Sequence, residues 1–159
     1  MNQQTDVTGP AEGSPRAYIL EDDMAIAALE ADVLRELGFS VISCSRIVEL
    51  GDLMELALPH LLVVDVMLPD GDGGDITSLL RSAWPGIPVI IVSAASRERL
   101  DELRDLGPIV TKPFDVDEFA AAAMQAVNAP RPIDGARDTA PGGDRGASAR
   151  PMAEQVRAG

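Results

Sequence analysis

The carboxylate of Asp65 follows directly on the apolar stretch Leu61-Leu62-Val63-Val64. A continuous apolar stretch of this length is typical of a central strand in a parallel sheet that helices cover on both faces. The residues after it, 66–74, are rich in glycine and contain a proline, which indicates a turn. A carboxylate at this place emerges into the crevice where open α/β sheets bind ligands. Such a carboxylate can act as a nucleophile toward a phosphoryl group.

Polar or charged residues also end three further predicted strands, at Glu21-Asp22, Ser93 and Lys112. Because the carboxyl ends of parallel strands share one edge of the sheet, we expect these side chains to lie near Asp65. Three acids at one edge repel each other, and Mg²⁺ is a cation that would keep them ionised. Lys112 would supply a positive charge for phosphate oxygens, and Ser93 a hydroxyl donor.

Each of these residues also has a simple structural interpretation. Acids and serines after a strand commonly cap the next helix, and a lysine is usually a surface residue. The prediction of a metal and phosphate site therefore depends on all the positions occurring together in one chain.

Strand and helix patterns alternate five times and can position these side chains. The predicted strands are 17–20, 39–43, 61–65, 87–92 and 108–111, and the predicted helices are 24–37, 47–58, 74–83, 94–106 and 116–128. This alternation predicts an α/β fold with a five-stranded parallel sheet, right-handed crossovers and five helices. Apolar residues recur at helical spacing in the first and last helices, at Ile26, Leu29, Val33 and Leu37, and at Val116, Phe119, Ala120, Ala123 and Val127.

The two ends of the chain differ in composition from its middle. Residues 1–16 and 129–159 lack apolar periodicity and are rich in small, polar and proline residues, so we expect both segments to be disordered. One folded domain is expected at 17–128. We expect no DNA-binding output domain after it, because the remaining tail lacks the apolar residues of a core.

Composition excludes several classes of protein. The formal net charge of −13 argues against sequence-independent binding to nucleic acid or to anionic lipid. The chain shows neither a membrane-spanning apolar segment nor a signal peptide, so we expect a cytoplasmic protein without membrane insertion. The single cysteine, Cys44, excludes an intrachain disulfide and is expected in the core. The single histidine, His60, precedes a strand and is expected to be a loop residue.

Residues 17–128 resemble the receiver domain of bacterial two-component response regulators. Four motifs in the family's order carry the resemblance: Ile19-Leu20-Glu21-Asp22-Asp23, Val63-Val64-Asp65-Val66-Met67-Leu68-Pro69 with Gly73, Ile90-Ile91-Val92-Ser93-Ala94, and Thr111-Lys112-Pro113-Phe114. The resemblance implies a doubly wound, flavodoxin-like sheet with the strand order 2-1-3-4-5. It also implies a signalling module, not an enzyme for external substrates. Its phosphoryl group would come from a sensor histidine kinase or a histidine phosphotransfer protein.

The resemblance further implies a role for each residue of the site. Asp65 would be the phosphoacceptor, Ser93 the switch hydroxyl, and Lys112 the ion partner of the phosphate, with a cis bond to Pro113. The Mg²⁺ ligands would be Glu21, Asp22, Asp65 and the backbone carbonyl of Met67. New charge at Asp65 would draw in Ser93 and Lys112 and bias a bistable element nearby, which a downstream protein target would read.

The sequence departs from the family pattern at Ile109. The position three residues before the lysine commonly carries an aromatic switch residue, and residues 106–110 form a shorter connection than usual. We therefore expect the phosphorylation chemistry to be retained and its readout to be altered.

Two other functions remain open. A phosphorylation-independent binding module with the same site would bind its partner equally well after the substitution Asp65→Ala. A metal-dependent phosphohydrolase of the haloacid dehalogenase type would use Asp65 as its nucleophile. That class needs a second acid two residues later, where this chain has Met67.

Overall fold

The computed structural model describes residues 13–130 and shows a parallel sheet between two layers of helices. In chain order the elements are β1 (Arg16–Leu20), α1 (Met24–Glu36), β2 (Ser40–Cys44), α2 (Ile47–Leu56), β3 (Leu61–Asp65), β4 (Met67–Leu68), β5 (Gly71–Asp72), α3 (Gly73–Ala83), β6 (Val89–Ser93), α4 (Arg97–Glu102), β7 (Ile109–Thr111) and α5 (Val116–Asn128). The five-stranded sheet has the order β2-β1-β3-β6-β7, and β4 and β5 form a separate antiparallel hairpin. The predicted order 2-1-3-4-5 is confirmed, because β6 and β7 are its fourth and fifth strands.

The segments predicted to be disordered lie mostly outside the described residues. Residues 13–16 and 129–130 of these segments are described, and Arg16 belongs to β1. Its N–H donates to Nδ1 of His60 at 2.9 Å, and the N–H of His60 donates to the Arg16 carbonyl at 2.7 Å. The expectation of disorder was therefore wrong at Arg16, and His60 lies in the loop that this pair of hydrogen bonds anchors.

Strand β3 is buried over its whole length and separates two hydrophobic cores. Leu61 and Val63 pack in the core with α1 and α5, whereas Leu62 and Val64 pack in the core with α2 and α3. Burial on both faces explains why the strand shows no polar alternation. The same strand carries its last residue, Asp65, to the carboxyl edge of the sheet.

Helix α1 buries only part of the apolar pattern in its sequence. Its buried residues are Ala27, Glu30, Ala31, Val33 and Leu34. Within the pattern Val33 is buried, whereas Leu29 and Leu37 are 40% and 36% exposed. Small residues at the contact with α5, including Ala123, allow the two helices to approach closely. Val116, the first residue of the apolar pattern in α5, is exposed.

Helix α4 is much shorter than the helix predicted over 94–106. It begins after Ser96, whose Oγ accepts from the N–H of Arg99 at 3.4 Å, and the chain then continues in turns. A Cβ at Gly107 would overlap the backbone carbonyl oxygen of Val89, so the chain passes close to β6 there before it enters β7. Helix α4 has already ended, at Glu102, before this close passage. Over residues 13–130, no helix has the combination of length and apolar composition that crossing a membrane requires.

Candidate functional site

The candidate site lies at the carboxyl edge of the sheet, where β1, β3, β6 and β7 end at neighbouring positions. Asp65 of β3 is aligned with Val92 of β6, and Ser93 is aligned with Thr111 of β7. Glu21 follows β1 directly, and its N–H donates to the carbonyl of Cys44 at 3.0 Å. The parallel register therefore brings residues that are far apart in sequence to one edge.

Lys112 joins two of the buried carboxylates. Its Nζ lies 2.6 Å from Oε2 of Glu21 and 2.8 Å from Oδ2 of Asp65. Burial raises the pKa of Glu21 above its ordinary value, and the Asp65 carboxylate adds to this effect while the hydrogen bond from Lys112 opposes it. Burial alone would lower the pKa of Lys112, but its hydrogen bonds to the two carboxylates outweigh burial and raise it. Lys112 is therefore a charged ammonium at neutral pH.

The loop after β3 wraps around Asp65. Oδ1 of Asp65 accepts from the N–H of Met67 at 2.9 Å, and the N–H of Gly73 donates to the carbonyl of Val66 at 2.8 Å. A Cβ at Gly73 would overlap the carbonyl oxygen of Asp65, so only glycine lets the chain return this closely. The loop thus holds one oxygen of the Asp65 carboxylate while Lys112 holds the other.

Three carboxylates at this edge have the chemistry of a Mg²⁺ site. One oxygen each of Glu21, Asp22 and Asp65 can be chosen so that all three lie within 4.8 Å of one another. These three negative groups and the one ammonium leave a formal charge of −2, which a divalent cation would neutralise. Asp22 is exposed, so water can complete the coordination, as Mg²⁺ prefers. The residues present therefore fit the ion that the resemblance implies.

Ser93 ends β6 and Ile109 begins β7, and among residues 13–130 neither side chain joins this ion-pair network. Ser93 is fully buried, its Oγ accepts from the N–H of Ala95 at 3.0 Å, and its carbonyl accepts from the N–H of Lys112 at 2.9 Å. Ile109 is half-buried in β7 opposite Ile91 and packs against the core on the α2 and α3 side. The bond between Lys112 and Pro113 is cis, as the resemblance implied.

Sequence reasoning missed Glu30, a buried residue of α1. Its side chain is fully buried, and within residues 13–130 neither carboxylate oxygen has a hydrogen-bond partner. Burial raises the pKa of Glu30 to about 8, with further raising by Glu21 and Asp65 and an opposing effect of Lys112. The carboxyl group is therefore mainly protonated at pH 7. Its position three residues after Ala27 and four before Leu34 could have predicted its burial.

Sequence reasoning also missed Arg99, which connects α4 to the start of α3. Nη2 of Arg99 lies 2.7 Å from Oδ1 of Asp72 and 2.8 Å from Oδ1 of Asp75, and Nη1 lies 2.8 Å from Oε2 of Glu102. Although partial burial acts to raise it, the pKa of Asp72 is lowered by hydrogen bonds from Arg99 and from backbone N–H groups. No local pattern could predict this contact, because 27 residues separate Arg99 from Asp72.

Comparisons with known proteins agree with this geometry. A family model described as the response regulator receiver domain matches residues 17–124. The transcriptional regulatory protein PdtaR of Mycobacterium tuberculosis H37Rv is 29% identical over 140 residues, which cover 80% of this chain and 66% of that protein. The probable transcriptional regulatory protein TcrX of the same strain is 32% identical over 112 residues, covering 68% of this chain and 48% of that protein. The chain thus spans between about half and two thirds of the length of these relatives.

Solved structures share the fold, and one of them is a receiver domain. The Francisella response regulator 1452 receiver domain is 29% identical with a TM-score of 0.61, and the alignment covers 69% of this chain and 93% of that one. A sensor protein from Polaromonas sp. JS666 is 27% identical with a TM-score of 0.63, covering 71% of this chain and 95% of that one. Since the family model also matches more than half of the sequence, this chain belongs to the response regulator receiver domain family, whose members are signalling modules of two-component systems.

Proposed function

We propose that this protein accepts a phosphoryl group on Asp65 from a phosphohistidine of a sensor histidine kinase or histidine phosphotransfer protein. The observation that carries the proposal is the partly buried Lys112 ammonium, which lies 2.8 Å from Asp65 and 2.6 Å from Glu21. An ammonium fixed beside a carboxylate nucleophile places positive charge where phosphoryl oxygens will come to lie.

The chemical step is a transfer between two nucleophiles. A carboxylate oxygen of Asp65 attacks phosphorus, the phosphorus–nitrogen bond of the donor breaks, and the electron pair stays on the imidazole nitrogen. Mg²⁺, bound by Glu21, Asp22, Asp65 and the carbonyl of Met67, would neutralise charge on the phosphoryl oxygens. Attack of water on the resulting acyl phosphate returns free Asp65 and inorganic phosphate, so in this proposal the group hydrolysed is the protein's own phosphoaspartate.

The residues around Asp65 can respond to the new charge. The Lys112 ammonium already touches Oδ2 of Asp65, so a small movement transfers it to a phosphoryl oxygen. The Ser93 hydroxyl accepts from the N–H of Ala95 at 3.0 Å, and its own proton can be donated to the phosphate. A movement of Ser93 toward the phosphate would therefore shift the loop that leads into α4.

The output in this proposal is a contact with a downstream protein in the cytoplasm. The proposed contact involves neither nucleic acid nor membrane insertion. The strongly acidic surface that a net charge of −13 implies favours a partner with a basic patch.

A phosphorylation-independent binding module is the alternative, and Ile109 is the observation that favours it. Ile109 replaces the aromatic residue that commonly moves in this family, and it is half-buried against aliphatic neighbours. In this alternative, the partner binds the wild type, the phosphorylated protein and the variant Asp65→Ala with the same affinity.

Intact mass after incubation with acetyl phosphate and Mg²⁺ tests the proposal. We expect one added phosphoryl group on the wild type and none on Asp65→Asn, and we expect a chelator to abolish the gain. Asp70→Asn is the matched control, because Asp70 is an exposed aspartate of the same loop that contacts the N–H of Ile47. Equal gain on Asp65→Asn, or no gain on the wild type with any small phosphodonor, would contradict the proposal.

A further inference from the structure

We propose that Arg99 is a positioning residue of the phosphoacceptor site: it clamps the β4–β5 hairpin that presents Met67 and thereby couples α4 to the bound metal ion. This inference rests on the function proposed above, because it assigns a role toward the Mg²⁺ that Asp65 chemistry needs. Through Arg99, a conformational change at the site would reach α4 without any movement of Ile109.

The clamp begins at the guanidinium of Arg99. One nitrogen, Nη2, donates to Oδ1 of Asp72 at 2.7 Å and to Oδ1 of Asp75 at 2.8 Å. The Asp72 oxygen also accepts from the N–H groups of Gly74 at 2.7 Å and of Asp75 at 3.1 Å, so it caps α3 at the same time. Asp72 is therefore held from two directions, by the start of α3 and by α4.

From Asp72 the clamp reaches the metal site through the hairpin. Asp72 is the antiparallel partner of Met67, and Gly71 is the partner of Leu68. The N–H of Met67 donates to Oδ1 of Asp65, so the same residue is tied to the phosphoacceptor. The carbonyl of Met67, which we propose as a metal ligand, thus belongs to a peptide segment whose position depends on Asp72.

Close packing accompanies the ion pairs between α4 and α3. A Cβ at Gly74 would lie 2.7 Å from Cδ2 of Leu103 and 3.0 Å from Nη2 of Arg99. Leu103, the residue after α4, is only 3% exposed. Glycine at this position therefore lets both side chains approach the start of α3, and the contact is a packed junction with a defined geometry.

Helix α4 is connected to the site at a second point. Its N-cap, Ser96, comes three residues after Ser93, whose Oγ accepts from the N–H of Ala95. Movement of Ser93 toward a phosphate and movement of the hairpin on metal binding would both reach α4, the first through the loop and the second through Arg99. Since coupling between two sites is reciprocal, a change in α4 must alter metal affinity as much as metal binding alters α4.

The first experiment measures Mg²⁺ affinity without any phosphodonor, by titration of backbone amide chemical shifts in Arg99→Ala and in Arg104→Ala. Arg104 is the matched control, because it lies in the exposed turn that follows α4 and pairs with Asp101 of that helix, and within residues 13–130 it forms no ion pair with the hairpin. We expect the dissociation constant for Mg²⁺ to rise roughly tenfold in Arg99→Ala, the lower end of the cost of removing a residue that orients a metal ligand. Arg104→Ala is expected to match the wild type.

The second experiment separates positioning from a general structural role. In Arg99→Ala, the Mg²⁺ concentration that half-saturates the phosphorylation rate should rise by the same factor, while the rate at saturating Mg²⁺ approaches that of the wild type. Hydrogen exchange of residues 97–103 should slow on Mg²⁺ binding in the wild type and not in the variant. Asp72→Asn, which retains a capping side chain and loses the charge, should behave like Arg99→Ala and decides the matter if Arg99→Ala does not fold.

The outcomes distinguish this inference from the proposed function. Equal Mg²⁺ affinities of the Arg99 and Arg104 variants, in a protein whose wild type binds Mg²⁺ and gains a phosphoryl group, would overturn the clamp alone. A wild type that neither binds Mg²⁺ nor gains a phosphoryl group would overturn both. A loss of maximal phosphorylation rate in Arg99→Ala at unchanged Mg²⁺ affinity would also overturn the positioning role.

Discussion

Replacing Glu30 by glutamine should make the protein more stable, and increasingly so as the pH rises. Glu30 is fully buried, its carboxyl group finds no hydrogen-bond partner among residues 13–130, and its pKa is raised from 4.5 to about 8. Between these values the folded protein binds a proton at Glu30 that the unfolded chain has lost. The free energy of unfolding therefore falls with rising pH across this window in the wild type, and glutamine removes this fall.

The expected size of the effect follows from the two pKa values. Each pH unit inside the window corresponds to about 1.4 kcal/mol. The glutamine variant should gain little near pH 4.5, about 3 kcal/mol at pH 7, and up to about 5 kcal/mol above pH 8. The amide is nearly the same size as the neutral carboxyl group and is equally unpaired, so the two side chains should cost the same when Glu30 is protonated.

Urea unfolding at pH 5.5, 7 and 8.5 measures this difference. Trp84 is the single tryptophan and packs against the core, so its fluorescence reports unfolding. Glu36→Gln is the control, because Glu36 lies in the same helix and is exposed. A gap between wild type and Glu30→Gln that stays constant over this pH range would refute the reasoning, since it would mean that Glu30 does not change its protonation on folding.

Two further predictions concern the site and the loop around it. Lys112→Ala leaves the carboxylates of Glu21 and Asp65 buried without their cation, so the free energy of unfolding in Mg²⁺-free urea titrations at pH 7 should fall by about 3 kcal/mol. A fall below about 1 kcal/mol would instead be the behaviour of an exposed ion pair. Gly73→Ala should displace the Asp65 backbone, because its Cβ would overlap the Asp65 carbonyl oxygen, and should abolish the phosphoryl gain in intact mass. In the control Gly51→Ala the new Cβ has open space within α2, and the free energy of unfolding in the same titration should rise by about 0.5–1 kcal/mol. A Gly73→Ala variant that still gains a phosphoryl group would contradict the role of the close turn.

Local patterns in the sequence were sufficient for most of the fold. The apolar stretch before Asp65 identified the central strand, and alternation of strands and helices identified the parallel sheet, which the strand order confirms. These predictions succeed because periodicity and turn residues act over a few neighbouring positions. The same method failed for α4, which ends at Glu102, because residues 103–106 contain no glycine or proline that would mark this end.

The placement of the candidate site residues was also predictable in outline. Parallel strands of one sheet end at a common edge, so the positions of Glu21, Asp65 and Lys112 after their strands were enough to expect them together. The structure adds which atoms meet, since Lys112 pairs with Glu21 across 91 residues and with Asp65 across 47. No pattern in the sequence could have shown that both carboxylates share this one ammonium.

The sequence by itself determined the central strand, the polar residues at the carboxyl ends of the strands, and the position of Asp65 at the edge of the sheet. Only the tertiary structure decided that the Glu30 carboxyl has no hydrogen-bond partner among the described residues and that Arg99 pairs with Asp72. The physical reason is the range of the interactions. Strand and helix patterns depend on residues a few positions apart, whereas the hydrogen-bond partners of a buried side chain and the pairing of an arginine with a distant aspartate depend on how complete elements pack.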